Sequence, residues 1–254
     1  MDLNKMKLGV YLINLDSSTE RLAQADAELK KHGVEYQRIS AVDGRKLDIK
    51  EFPLYNSKRS NSYTGRDLIG SEIGCYLSHK KALEIFVNSD ADLGLILEDD
   101  LHLNEKFKTV LLETVEILKN TTNHWAVVNI AANKRKLSAP MMTIQGHDLL
   151  KAYYFPILAL GLLWSKQGAK SFLASMNDIF TPIDVEIQAW ACRTGLGLSI
   201  YPPIVQPSGA DSDIDANTIA QKKDSLRVDR FFPKQKRLWQ NKLNAMKYLY
   251  LKSN

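Results

Sequence analysis

The sequence predicts an α/β protein with a mostly parallel sheet and a basic C-terminal helical tail, and three observations carry that prediction. Short runs of β-type apolar residues alternate with longer segments of helical periodicity. The first run, residues 7–15 (KLGVYLINL), is almost continuously apolar, as a strand covered on both faces must be. The charge is also uneven. From Lys222 onward there are ten Lys and Arg against two Asp, a net of +8, while the residues before it hold 24 basic and 27 acidic side chains, a net of −3.

The elements follow in order. After the first strand, Ser17 and Glu20 have capping-box spacing, and the helix they start should run to about His32 and stop at Gly33. Residues 35–42 (EYQRISAV) alternate as a half-buried strand that closes at Asp43-Gly44, a turn dipeptide. Residues 45–70 are polar and irregular and predict a long loop. A helix over 72–88, a strand over 92–97, a helix over 104–119 and a strand over 125–130 come next. Residues 133–148 again predict a loop. Residues 153–164 (YYFPILALGLLW) predict a strand, 165–176 and 182–193 helices, and 198–201 a last strand before a Pro-rich loop. The alternation predicts one α/β domain over residues 1–221 with a basic tail appended over 222–254.

Composition excludes several classes. With 44% hydrophobic and 25% charged residues, the 254-residue chain is neither disordered nor fibrous. Its two cysteines, Cys75 and Cys192, are too few for a disulfide scaffold and fit a reducing compartment. No opening segment reads as a signal peptide, and the longest apolar run is twelve residues, against the roughly 20 a spanning helix needs. A basic body would suggest nucleic acid; a neutral body with a basic tail predicts no nucleic acid and an anionic surface instead. No phosphate-loop, dinucleotide or nucleophile-elbow motif occurs.

The strand over 92–97 runs straight into Glu98-Asp99-Asp100. Adjacent carboxylates repel and raise one another's pKa unless a cation or donors compensate. They stand where the C-terminal edge of a parallel sheet binds ligands, and oxygen donors there suit a hard divalent cation that bridges to phosphate. The plainer alternative is one acid capping the next helix and two in water.

Several segments together resemble glycosyltransferase family 25, the lipopolysaccharide and lipooligosaccharide glycosyltransferases. Ile13-Asn14-Leu15-Asp16 with Arg21 is similar to the family's INLxxxxxR signature, and Ala41-Val42-Asp43-Gly44 to its AVDG. Residues 70–79 (GSEIGCYLSH) match its GEIGCxLSH helix start, and residues 96–100 its ILEDD. Gly161 with Ser165, Gly168 and Ala169, then Pro182-Ile183-Asp184 and Tyr201-Pro202-Pro203-Ile204-Val205, follow its later blocks. The likeness spans roughly residues 8–210. It implies a GT-A-like fold and inverting transfer of a hexose, galactose first, from a UDP-sugar to an oligosaccharide or lipid-linked saccharide acceptor.

On that reading Asp100 and Glu98 hold Mn²⁺ or Mg²⁺, and Asn14, Arg21, His79, Glu98 and Asp99 form the donor-binding set. Inversion needs one base on the acceptor hydroxyl, and Asp184 and Glu186, near a predicted helix start, are the candidates. Tyr153, Tyr154 and Trp190 could stack on sugars, although such runs are more often core. The other readings are a different metal-dependent nucleotide-processing enzyme, or a carbohydrate-binding relative without catalysis. The tail is expected to hold a cytoplasmic enzyme on the inner face of the cytoplasmic membrane, with Leu238, Trp239, Leu243, Met246, Leu249 and Tyr250 on one helical arc.

Overall fold

Side chains of β2 (Met6–Asn14) and β4 (Leu93–Glu98) alternate between two hydrophobic cores, as strands covered on both faces must. Val10, Leu12, Leu93, Leu95 and Leu97 enter one core; Tyr11, Ile13 and Ile96 enter the other. Helices α1 (Thr19–Lys31) and α4 (Phe107–Lys119) contribute to the first core. Helices α3 (Gly70–Asn88), α5 (Lys166–Leu173) and α6 (Ile183–Thr194) contribute to the second. The computed structural model describes residues 2–3, 6–49, 51–121, 124–209 and 231–251.

Among these residues the main sheet has nine strands. They are β2, β4, β1 (Asp2–Leu3), β3 (Gln37–Ser40), β6 (Val127–Asn129), β7 (Ser138–Ile144), β8 (His147–Ala152), β9 (Gly161–Ser165) and β10 (Gly197–Tyr201). The order is β1-β2-β4-β9-β6-β10-β8-β7, with β3 also on β2. Strand β9 runs antiparallel to both β4 and β6, so β3, β2, β4, β6 and β10 all point one way and the centre is largely parallel. The expected α/β architecture is therefore present. A separate two-stranded ladder pairs β5 (Leu101–Leu103) with β11 (Val205–Pro207).

Four local expectations are corrected. Helix α1 starts at N-cap Ser18 with no side-chain cap bond, so the Ser17/Glu20 box does not form, while Gly33 does take the left-handed conformation at φ +60°. The stretch 45–70 contains α2 (Ser57–Thr64), capped by the Asn56 side chain accepting from the Arg59 N–H. Residues 133–148 hold most of the β7–β8 hairpin, turned at Gln145 and Gly146 with φ of 52° and 89°, the mirror-image turn that suits strand twist. Of the apolar run 153–164, only its end from Gly161 is strand. Pro156 lacks an N–H for a ladder, and side-chain amides hold the rest: Asn129 donates to the Leu158 carbonyl at 2.8 Å and Gln188 to the Phe155 carbonyl at 2.7 Å.

The tail's described part is one helix, α7 (Phe231–Leu251), packed on α6 and α2. Asn241 and Ala245 are buried in that contact, and the Tyr248 hydroxyl donates to the Arg193 carbonyl at 2.9 Å. The expected boundary at 221/222 lies outside the described residues.

The AVDG segment and the start of α3 meet backbone to backbone, which only glycine permits. A Cβ on Gly44 would stand 1.8 Å from the Gly70 carbonyl oxygen, and one on Gly74 2.5 Å from the Val42 carbonyl oxygen. Ser78, one helical turn on, locks the contact by accepting from the Val42 N–H at 2.8 Å. Gly74→Ala must push backbone against backbone, so it should cost about 3 kcal/mol, read as a fall in denaturation midpoint at unchanged m-value. Wild-type stability of this variant would show that the contact is slack.

Candidate active site

Parallel pairing places the ends of β2 and β4 side by side, with Ile13 opposite Glu98 in the register. A cavity of about 410 Å³ opens there, walled by both strand ends, the AVDG segment, one face of α3 and the start of α6. Strand β4 ends at Glu98, and Asp99 and Asp100 form a bend rather than continuing the pleat. All three carboxylates line the cavity.

Each is compensated differently. Asp99 is paired with the Arg21 guanidinium and accepts from the Asn14 amide at 2.7 Å. Burial still pushes its carboxyl up, because those partners offset the lost solvation only in part. Glu98 accepts or shares a proton with His79 Nε2 at 2.8 Å, with the Cys75 thiol 3.8 Å away. Burial works hardest against its charge, but the His79 contact, the Cys75 thiol and the Arg21 charge together outweigh it and hold its pKa below the ordinary value. Asp100 has less support, from the Arg21 charge and its own backbone N–H alone. Its Oδ1 is buried without a hydrogen-bond partner among the described residues, and burial together with the Glu98 charge pushes it up to about 6.

The residues expected to bind a donor therefore come together at one cavity, but in two tiers. Arg21, Glu98, Asp99 and His79 line the cavity. Asn14 lines it too, yet its buried amide is committed: it donates to Asp99 and to the Ser18 carbonyl at 3.0 Å and accepts from Arg38 at 3.0 Å. It holds Asp99 in place. His79, 1% exposed, likewise holds Glu98. The metal pair fits a divalent cation: an orphaned buried carboxylate oxygen on Asp100 beside a charged Glu98 is a site short of positive charge.

Asp184 faces the same cavity from the first turn of α6. Burial pushes its carboxyl up, and the Glu98 charge adds to the shift. It does not cap the helix; its Oδ1 accepts from the N–H of the next residue, Val185, at 2.8 Å, and Pro182 stands at the cap. Glu186 does not line the cavity. Two residues along a helix turn about 200°, which sends Glu186 toward Tyr76 and Arg59 instead. Tyr153, Tyr154 and Trp190 are core residues, each at most 8% exposed.

Three further residues line the cavity: Cys75, which the sequence offers only as one possible ligand partner of His79, and Arg45 and Glu72, which sequence reasoning passed over. Cys75 stands four residues before His79, and with Glu98 the three offer ligand atoms within 4.8 Å of one another, a set a metal ion could also use. Helical i,i+4 spacing was the available signal. Arg45 follows the AVDG block directly and lines the cavity while its guanidinium holds Asp43 at 2.8 Å. Glu72, paired with the buried Arg66 at 2.5 Å, also lines the cavity.

Glu186 supplies a pH test. Burial raises its pKa from 4.5 to about 7, so the fold favours the protonated form, and stability falls as pH rises from about 4.5 through about 7. Glu186→Gln removes that loss. Its melting temperature should exceed wild type by about 5 °C at pH 8, for a gain on the order of 2 kcal/mol, and match it at about pH 4. An equal difference at both pH values would mean that Glu186 is charged at no such cost.

The family model for glycosyltransferase family 25 (LPS biosynthesis protein) matches residues 7–187. A mouse procollagen galactosyltransferase 2 is 23% identical over 170 residues, covering 65% of this chain and 27% of its own length. A glycosyltransferase 25 family member of Aedes aegypti is 27% identical over 252 residues, covering 89% of this chain and 40% of its own. The chain thus spans well under half of these relatives. A solved glycosyltransferase involved in glycosylation of the major capsid of PBCV-1 aligns with a TM-score of 0.43 at 10% identity, covering 94% of this chain and 99% of that one. With the matched region containing both strand ends, the AVDG segment and Asp184, this chain belongs to glycosyltransferase family 25.

Proposed function

We propose that the chain transfers a hexose, galactose in first place, from a UDP-sugar to a saccharide acceptor of the lipooligosaccharide or lipopolysaccharide type, with inversion at the anomeric carbon. The observation that carries this reading is the buried Asp100 Oδ1, without a hydrogen-bond partner among the described residues, beside Glu98, with Asp184 lining the same cavity. Family membership supports sugar transfer, and the names of the procollagen galactosyltransferase relatives support galactose.

Asp100 and Glu98 would hold Mn²⁺ or Mg²⁺. Such an ion, when bound, offsets the negative charge that a departing diphosphate gathers. The chain's own residues do the rest. Arg21 and Arg45 bring positive charge to the cavity wall on the side of the β2 end, where a diphosphate would lie. Asn14 and His79 fix Asp99 and Glu98, so that the acid cluster is preorganised before substrate arrives. Asp184, half-buried and raised in pKa, is suited to take the acceptor hydroxyl proton onto a carboxylate oxygen while the acceptor's own oxygen attacks the anomeric carbon and the nucleoside diphosphate leaves.

Incubation with a panel of UDP-sugars, Mn²⁺ or Mg²⁺ and lactose-like acceptors, with UDP release and product linkage as readouts, tests the reading. No release above background with any acceptor would end it. Asp100→Asn keeps shape and removes charge, so transfer should fall about 10²-fold or more. Full activity of that variant, or of wild type in EDTA, removes the metal assignment. Asp184→Asn should lower kcat about 10²-fold or more at nearly unchanged donor KM. Loss of donor binding would instead place Asp184 on the donor.

A further inference from the structure

Helix α7 is amphipathic twice over. One face is docked on the domain: Asn241 and Ala245 are buried, Tyr248 reaches the Arg193 carbonyl, and the Asn241 amide meets Gln188 Oε1 at 3.4 Å. That face joins the Asn241 amide to the packing of Ala245, Tyr248 and Leu249 on the core. The face turned to solvent carries large apolar residues of its own: Phe232 is 75% exposed, Trp239 60%, Leu243 62%, Met246 41% and Tyr250 64%. At about 100° per residue these five fall within an arc of about 60°, on the side opposite Asn241 and Ala245. The arc expected from the sequence is thus split, with Leu238 and Leu249 half-buried at its edge and the rest outward.

Five large apolar side chains in one exposed ridge need an occupant. The domain is not it, because the opposite face is already docked. The flanks indicate what is. Lys236 and Lys247 border the ridge on one side and Lys242 on the other, and residues 231–254 contain six Lys and Arg with no Asp or Glu. Lys242 Nζ lies 4.8 Å over the Trp239 ring. The surface continues into a groove lined by Lys136, Leu137, Tyr154, Lys242 and Met246, which adds a fourth lysine and the exposed Leu137. Aromatic residues with lysine flanks and no acid match a headgroup layer, where rings sit at the interface and cations meet anionic lipid. A protein-binding ridge has no need to exclude every carboxylate.

We propose that this outward ridge of α7, with the Lys136–Met246 groove beside it, docks the protein in the plane of an anionic lipid surface. No described helix is long and apolar enough to cross a membrane, which leaves the in-plane mode for this helix. The attachment is independent of the transfer reaction and does not rest on it.

The full chain is mixed with vesicles of phosphatidylcholine alone or with phosphatidylglycerol and sedimented at low and high salt. Binding is expected only to the anionic vesicles, weakened about tenfold or more by high salt. Trp125, Trp164 and Trp190 are buried or half-buried, so quenching by brominated lipid reports Trp239. Trp239→Glu with Leu243→Glu, and separately Lys236→Glu with Lys242→Glu and Lys247→Glu, should each weaken binding about tenfold or more. These side chains are exposed, so melting temperature and transfer to a soluble acceptor should stay at wild-type values. Absence of vesicle binding at low salt, or binding untouched by the Trp239/Leu243 variant, overturns the proposal. A solution dimer abolished by that variant, without vesicle binding, would assign the ridge to self-association.

Discussion

Three consecutive carboxylates end a strand that is otherwise buried, and the structure around them is arranged to make that tolerable. Charge of one sign at such density is stable only where donors or cations surround it. Asp99 takes Arg21 from α1 and Asn14 from the neighbouring strand, so the first βαβ unit is closed by the acids it serves. Glu98 takes His79 from α3. Two of the three are thereby satisfied from within the chain. The third, Asp100, is left with a buried Oδ1 that has no hydrogen-bond partner among the described residues, at a carboxyl held near pH 6 by burial and Glu98. Folding thus concentrates an unmet demand for positive charge at one point of one cavity.

Helix α3 makes this possible because it reads both walls. Its glycines let it lie on the AVDG backbone, and Ser78 fastens Val42 there. The next residue, His79, turns to Glu98 on the other wall, with Cys75 one turn earlier on the same side. A helix that stood an ångström further out would lose both contacts together. Packing, not a dedicated loop, therefore sets the width of the cavity between the acids and the AVDG segment.

The parallel strands were legible because burial on both faces leaves a continuous apolar run, and the acids at the end of β4 were legible because they break that run. The β7–β8 hairpin was not: β7 is exposed or half-buried before Ile144 without strict alternation, and Lys134, Arg135 and Lys136 ahead of it give the stretch the composition of a loop. Asp184 and Glu186 look equivalent in sequence, and only the helical rotation, applied once the cap at Pro182 is known, sends one into the cavity and the other toward Tyr76. The His79–Glu98 contact joins residues 19 apart through a helix and a parallel strand. No local pattern encodes it. The Cys75–His79 half was within reach of helical spacing alone.

The same distinction separates the two faces of α7. Its apolar residues were legible as one arc expected to meet a membrane, the alternative being an arc that packs inward. Here the inward face is Asn241, Ala245 and Tyr248, because α6 offers an amide at Gln188, a carbonyl at Arg193 and, at Gly195, a glycine against which the Tyr248 ring lies. Gln188 in turn donates to the Phe155 carbonyl, in the segment that continues through Leu158 and Ala159 to the cavity wall. A polar chain thus runs from the docked face of the helix to the irregular strand approach beside the acids. The helix is bound to the domain by these hydrogen bonds and by the packing of Ala245, Tyr248 and Leu249 on the core, which leaves the outward apolar ridge free for contacts that need area rather than geometry.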